Sequence, residues 1–302
     1  MTNKIVLNNL KLQWKQIKSE VLNRLQDVLE NTAYISGKQV AEFEERFASM
    51  HGFKHCIAMS SGTDALIVAK MISKRIFSGT KIYYPINTYI ATIEPWLDSV
   101  DTRLVGVDYD NYRNMDVKLL PNDEHTGIIL PVHLYGNPAD VDLLNTKEYR
   151  GFVIEDCSQA HFATLNKQFV GTFGDLATFS FYPGKNLGAI GEAGALCTDN
   201  AYYAYLARMF SSHGMRSKYD HQTIGYNFRM SEIQAAALNV KLNYILAWTK
   251  QRQEIGLLYT TLLKSISSIK CPLVKENREH VYHQYVIDLT SAQRRDELQD
   301  YL

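Results

Sequence analysis

Lys185 stands in the glycine-rich stretch FYPGKNLGAIGEAG, between the apolar runs LATFSF at 176–181 and GALCT at 194–198. A lysine held in an enclosed turn gives up its proton more readily than one in water, and a neutral amine can attack an aldehyde to form an imine. Pro183 and Gly184 are expected to fix and open that turn, while Gly188, Gly191 and Gly194 are expected to clear space for a planar ring near the backbone. The plain alternative is a tight loop carrying a solvated lysine, as most lysines are.

Two other stretches bear on the same chemistry. In SSGTDALIVAK at 60–70, a strand ends and Gly62 and Thr63 begin a helix, so free backbone N–H groups and the positive end of a helix dipole suit a phosphate. Ser61 or Thr63 acting only as a helix cap explains the motif equally well. In VIEDCSQAH at 153–161, Glu155 and Asp156 follow an apolar strand, at the edge where open α/β sheets place ligands. A carboxylate about 4 Å from a ring nitrogen is worth about 4 kcal/mol at an effective dielectric of about 20. That is roughly three pKa units, enough to keep a pyridine nitrogen protonated, and a protonated ring draws electrons from an attached carbon. A surface acid capping the next helix is the simpler reading of this stretch alone.

The elements that must position these residues follow from periodicity. Leu10, Trp14, Ile17, Val21, Leu25 and Val28 recur at helical spacing, as do Val40, Phe43, Phe47 and Met50, with Gly52 as the stop. Apolar runs then alternate with helical or loop segments: HCIAM at 55–59, KIYY at 81–84, RLVGV at 103–107, GIILPV at 127–132 and FVIE at 152–155. This pattern predicts an α/β fold with a largely parallel sheet flanked by helices. A long helical region is expected from Ser231, with Glu232 serving the dipole of its own first turn. VYHQYVIDL at 281–289 reads as a strand and SAQRRDELQDYL as a helix. The division predicted is a large domain over 1–245 and a smaller C-terminal α+β domain over 246–302.

Composition excludes several classes. Lysine plus arginine number 32 and so do aspartate plus glutamate, so no overall field steers the chain to nucleic acid or an anionic membrane. At 302 residues and 46% hydrophobic content, a large core is expected. The start lacks the apolar core of a signal peptide, and no run of about 18 apolar residues occurs, so the default expectation is a cytoplasmic protein. Cys56, Cys157, Cys197 and Cys271 lie far apart without a CxxC pair, which argues against a structural zinc, an iron–sulfur cluster or a disulfide framework.

Taken in series, SGTDAL, PINTYIAT, PVHLYGNPAD, VIEDCSQAH, FGDLATFSFYPGKNLGA and GYNFRMSEIQAA resemble, in order and spacing, the sugar aminotransferases of the DegT/DnrJ/EryC1/StrS family, which have the fold of aspartate aminotransferase (fold type I). The resemblance runs from about residue 7 to the end. It implies pyridoxal 5'-phosphate as cofactor, Lys185 as the imine-forming lysine and proton shuttle, and Asp156 as partner of the pyridine nitrogen. It further implies that Gly62, Thr63 and Ser180 hold the phosphate, Tyr89 stacks on the ring, and Gln159 lies against the ring near its hydroxyl. Asn227 resembles an asparagine that reaches the neighbouring subunit's cofactor, so a homodimer is implied. Phe162 stands where many relatives have glycine, and Phe228 to Glu232 replaces an SRLDE type of sequence; both departures concern substrate fit.

The activity implied is transfer of an amino group from an amino acid, glutamate above all, to a nucleoside-diphosphate keto-sugar. The YPGKNLGA loop looks more like enzymes acting on 3-keto than on 4-keto sugars, and lysine at 185 separates the chain from the family's dehydratases, which have histidine there. Such enzymes make amino sugars for surface polysaccharides such as O-antigen, or for natural-product glycosides. Relatives continue for several tens of residues past the RDELQ helix, through a His-Tyr-Pro segment that helps close the substrate site. On that ground the small domain is expected to be incomplete, with poor turnover and uncovered apolar surface around Val281, Tyr285 and Leu298. The rival reading is a non-catalytic homologue or fragment that serves as a dimerisation partner.

Overall fold

In the computed structural model, which describes residues 8–77, 81–121, 127–145 and 151–302, two helices precede the first strand. Helix α1 (Leu10–Glu30) starts at Asn9, whose side chain accepts the N–H of Leu12, and it buries Ile17, Val21 and Val28. Helix α2 (Lys38–His51) buries Phe43 and Phe47 and stops at Gly52, whose φ of 86° is the left-handed conformation that glycine adopts without strain. Both helices end where the periodic apolar pattern ends.

The chain then builds a seven-stranded sheet. In chain order come β1 (His55–Met59), helix α3 (Gly62–Ile76), β2 (Lys81–Pro85), β3 (Arg103–Val107), β4 (Ile128–Ile129) and β5 (Phe152–Asp156). A hairpin of β6 (Thr164–Leu165) and β7 (Gln168–Phe169) precedes β8 (Leu176–Ser180), β9 (Gly194–Thr198) and helix α4 (Ala201–Phe210). The sheet order is β1-β9-β8-β5-β4-β2-β3, parallel throughout except for β9, which runs against both its neighbours. The expected mixed, mostly parallel α/β sheet is therefore present. Only Ile128 and Ile129 of the run at 127–132 form strand, because Pro131 has no N–H to give to a ladder.

Strand alternation sorts side chains between two helical layers. Cys56 and Ala58 of β1 and Ala177 and Phe179 of β8 pack with Phe43 and Phe47 of α2. Their sequence neighbours Ile57, Met59 and Leu176 instead pack with Ala65, Val68 and Ile72 of α3 and with Leu206 of α4. Removing a ring such as Phe47 from so dense a cluster would cost about 3–5 kcal/mol.

After the small ribbon of β10 (Met215–Ser217) and β11 (Asp220–His221), the expected long helix is two: α5 (Glu232–Lys241) and α6 (Ile245–Leu263). Beyond α6 lie β12 (Ile269–Lys270), β13 (Arg278–Glu279), β14 (Asp288–Leu289) and α7 (Ala292–Tyr301), whose cap is Ser291. The strand expected over 281–289 forms only at Asp288–Leu289, which pairs with β12. Residues before it spend their backbone groups on docking: β13 pairs with β6, Val281 N–H donates to Gly136 O, and Gln284 N–H donates to Tyr135 O. Val281, expected to be uncovered, is 0% exposed and packs within the α2-side core. Tyr285 and Leu298 are partly buried.

Candidate active site

The carboxyl ends of β1, β2, β5 and β8 open on one edge of the sheet, and a cavity of about 600 Å³ lies there. Its wall includes Gly62, Thr63, Tyr89, Asp156, Gln159, Ser180 and Lys185. Seven of the eight residues singled out from sequence thus converge on one space, although they span more than a hundred residues of chain. Asn227 does not line it; it is exposed and bridges Ser212.

Lys185 sits just past β8, its N–H bonded to the carbonyl of Tyr182. Burial lowers its pKa from the ordinary lysine value, and the charge of Asp156 works in the opposite direction. Lys185 is thus biased toward a neutral, nucleophilic amine while remaining on the wall of an open cavity. Asp156 ends β5 and is 5% exposed; Oδ2 accepts the hydroxyl of Thr92 at 2.9 Å and Oδ1 accepts the N–H of Ser158 at 3.0 Å.

Glu155, read beside Asp156 as a second acid at the edge, faces the other side of the strand. Its oxygens accept N–H groups of Gly171, Phe173 and Gly174 at 2.6–2.8 Å and meet His133 Nε2 at 2.9 Å. Because His133 Nδ1 accepts the N–H of Ala139, Nε2 is the ring's donor to Glu155. Cys157 lies close enough to complete a ligand-like trio with these two. With both carboxylate oxygens and both ring nitrogens engaged, the cluster is a buried network that holds the turn at 171–174, not a metal centre.

At the start of α3, Ser61 Oγ accepts the N–H of Asp64 at 3.0 Å, so Ser61 is the cap. The N–H groups of Gly62 and Thr63 have no partner among the described residues, which leaves two aligned donors at the positive end of a helix. Capping and anion binding are thus compatible here. A Cβ at Gly62 would come within 2.7 Å of Ser180 Cβ, so only glycine lets the helix start meet the end of β8.

The glycines of the Lys185 loop play a different part from the one expected. None of Gly188, Gly191 and Gly194 lines the cavity. A Cβ at Gly188 would strike the carbonyl of Pro183 at 2.4 Å, and one at Gly194 the backbone of Ser61 at 2.3 Å. At Gly191 the neighbour is the side chain of Gln234. These glycines admit other protein groups and so fold the loop tightly against α3 and α5; they do not make room for a ring. Gly184 does line the cavity.

Gln159 accepts the N–H of Tyr135 at 2.6 Å through Oε1, which leaves its amide N–H groups for the cavity. Tyr89, at the end of the loop after β2, is 71% exposed, so its ring is free to cover a ligand. Sequence reasoning missed Thr92, Ser158 and Glu192, which also face the space, and above all His283 and Gln284. No local signal marks the last two, since a segment read as a distant strand folds back beside Lys185.

The donors and acceptors present suit pyridoxal phosphate: an amine of lowered pKa, a buried carboxylate with an oriented oxygen, and unpartnered N–H groups at a helix start where a side chain would clash.

The model of the DegT/DnrJ/EryC1/StrS aminotransferase family matches residues 15–302. A dTDP-3-amino-3,6-dideoxy-alpha-D-galactopyranose transaminase of Aneurinibacillus thermoaerophilus is 37% identical over 98% of this chain and 80% of its own. A dTDP-3-amino-3,4,6-trideoxy-alpha-D-glucose transaminase of Streptomyces venezuelae is 32% identical over 100% of this chain and 79% of its own. The crystal structure of DesV from S. venezuelae, in complex with a ketimine intermediate, superposes with a TM-score of 0.91 at 30% identity, covering 99% of this chain and 82% of that one. The family model's match over nearly the whole chain, the identity to these transaminases and the shared fold lead to one conclusion: the chain belongs to the DegT/DnrJ/EryC1/StrS aminotransferase family.

Proposed function

We propose that this chain is a pyridoxal-phosphate-dependent aminotransferase that moves an amino group from an amino acid, glutamate by preference, to the keto group of a nucleoside-diphosphate deoxysugar. The observation that carries this is the meeting of Lys185 and Asp156 in one cavity, with the free N–H groups of Gly62 and Thr63 at its rim. Position C3 is favoured, in line with the YPGKNLGA loop and with the 3-amino sugars named for the two transaminases above. A homodimer completes the reading, with exposed Asn227 reaching toward the partner's cofactor phosphate. The large domain over 1–245 would carry the cofactor and the segment over 246–302 would face the substrate. No described helix is long and apolar enough to cross a membrane, and a cytoplasmic setting fits such a reaction.

When bound, the cofactor supplies an aldehyde for amines and a protonated ring that draws electrons from the carbon bearing the nitrogen. Lys185 supplies the neutral amine and carries a proton to and from the substrate carbon. Asp156, pinned by Thr92 and by Ser158 N–H, would keep a proton on the ring nitrogen. Gly62, Thr63 and Ser180 would hold the phosphate, Gln159 would donate toward the ring hydroxyl, and Tyr89 would cover the ring.

The test uses the purified protein with pyridoxal phosphate, glutamate and a dTDP- or UDP-linked 3-keto sugar, followed by mass spectrometry of the nucleotide-sugar. Amino transfer is expected, and Lys185→Ala should lower it by about a thousandfold or more while the far-ultraviolet circular dichroism is kept. Undiminished transfer by Lys185→Ala would refute the role of that residue.

A further inference from the structure

The carbonyl oxygen of Val281 can only accept, and it takes a side-chain N–H of Asn186 at 3.0 Å. That contact orients the Asn186 amide, leaving its oxygen 3.3 Å from Nδ1 of His283. An amide oxygen also only accepts, so Nδ1 of His283 carries the hydrogen of this pair. A neutral imidazole has one N–H, and its other nitrogen, Nε2, then keeps a bare lone pair. Burial first, then the charges of Lys185 and Arg252, hold the ring's pKa at about 3, so the neutral form prevails at pH 7. Nε2 has no hydrogen-bond partner among the described residues, and His283 lines the cavity that holds Lys185.

A bare acceptor discriminates between the two substrates of an aminotransferase. The α-amino group of an amino-acid donor is the one the transfer consumes, and its carboxylates bring no hydrogen, so a neutral nitrogen offers them nothing and its lone pair repels them. Sugar hydroxyls bring donors. We propose that Nε2 of His283 accepts a hydrogen bond from a hydroxyl of the keto-sugar, making His283 a specificity-determining residue whose tautomer is set by Asn186, the neighbour of Lys185 in the chain. This rests on the keto-sugar reading of the same cavity. The chain Val281–Asn186–His283 also explains why the loop of Lys185 and the C-terminal segment are bonded at this point: the link fixes which edge of the imidazole is presented to the cavity.

Two experiments decide it. The first is independent of turnover: multiple-bond ¹H–¹⁵N spectra of the ligand-free protein labelled in histidine, with the His283 signals identified by their loss in His283→Gln. A protonated Nδ1 and a bare Nε2 at pH 7 are expected; the opposite tautomer or a charged ring overturns the assignment. The second measures the two half-reactions separately. His283→Phe should lower kcat/KM for the nucleotide keto-sugar by about 10–100-fold, the effect of leaving one substrate hydroxyl unpaired. The loss for the amino acid should be at least about tenfold smaller. His283→Gln, which keeps an acceptor oxygen, should recover most of the loss. A wild-type protein that transfers to the keto-sugar while His283→Phe does so equally well overturns the role of His283 alone. A wild-type protein that takes nitrogen from the amino acid but gives it to no nucleotide keto-sugar overturns both this role and the functional reading beneath it.

Discussion

Thr92 donates its hydroxyl to Oδ2 of Asp156 at 2.9 Å, deep at the carboxyl end of β5 where both residues are almost wholly buried. The other oxygen of Asp156 is occupied by the N–H of Ser158, so the carboxylate is held from both sides. Thr88 in turn lies 2.8 Å from Thr92, hydroxyl to hydroxyl. A group held this way presents a fixed oxygen to whatever occupies the cavity.

Asp156→Asn is therefore expected to lower turnover at saturating cofactor by about a hundredfold or more, because the amide cannot hold a proton on a ring nitrogen as a carboxylate does. Cofactor affinity should fall much less, since the N–H groups of Gly62 and Thr63 that we propose for the phosphate are separate from Asp156. Thr92→Val keeps the charge and loses one hydrogen bond, so a smaller loss of about 3–10-fold is expected. Steady-state rates of the three proteins at saturating cofactor check the order; an unchanged rate in Asp156→Asn would remove Asp156 from the reaction.

Glu232 is 1% exposed, and its carboxylate accepts the N–H groups of Gly37 and Gln39 at 2.7 Å and of Val40 at 3.2 Å. It thereby caps α2, whose own N-cap residue is Gly37 and has no side chain to offer. Glu232→Ala should leave those donors buried and unpaired, lowering unfolding free energy by about 2–4 kcal/mol. Urea unfolding followed by circular dichroism measures this, and a loss below about 0.5 kcal/mol would show that water takes over the cap.

Lys241 donates to the carbonyl of Gly188 at 2.6 Å, and burial lowers its pKa from 10.5 to about 8. The folded protein thus binds this proton less tightly than the unfolded chain does. Between about pH 8 and 10.5 the unfolded chain holds more of the proton, so this group makes stability rise with pH across that window, and below it the cost is constant. The total is of the order of 3 kcal/mol. Lys241→Met removes the effect, so the stability of wild type minus variant should grow between pH 7 and 10.5. A flat difference in urea unfolding over that range would contradict it.

Much of the fold was legible because its signals are local. Helices α1 and α2 follow from the spacing of Ile17, Val21, Phe43 and Phe47, and Gly52 stops the second because its backbone takes a positive φ. The strands at His55–Met59, Arg103–Val107 and Gly194–Thr198 coincide with their apolar runs. Lys185, Gly62, Thr63 and Asp156 were legible from their own stretches, at or just after strand ends that parallel strands bring to one edge, whereas Tyr89, Gln159 and Ser180 were singled out by the family resemblance.

What only the tertiary structure decided is where side chains and segments go once the layers are packed. Adjacent Glu155 and Asp156 part company because strand neighbours face opposite sides; only the packed sheet shows that one side is the cavity and the other the turn at 171–174. Glu232 caps α2 in place of its own helix because α5 packs across the start of α2. The glycine at 194 is required by the approach of Ser61, a contact between residues more than a hundred positions apart that no window of sequence contains. His283 enters the cavity because Val281 and Gln284 find partners at Gly136 and Tyr135, nearly 150 residues earlier in the chain. A residue's type and the period of its neighbours are written in the sequence itself, whereas the partner of a buried polar group is settled by the closure of long loops and the packing that follows.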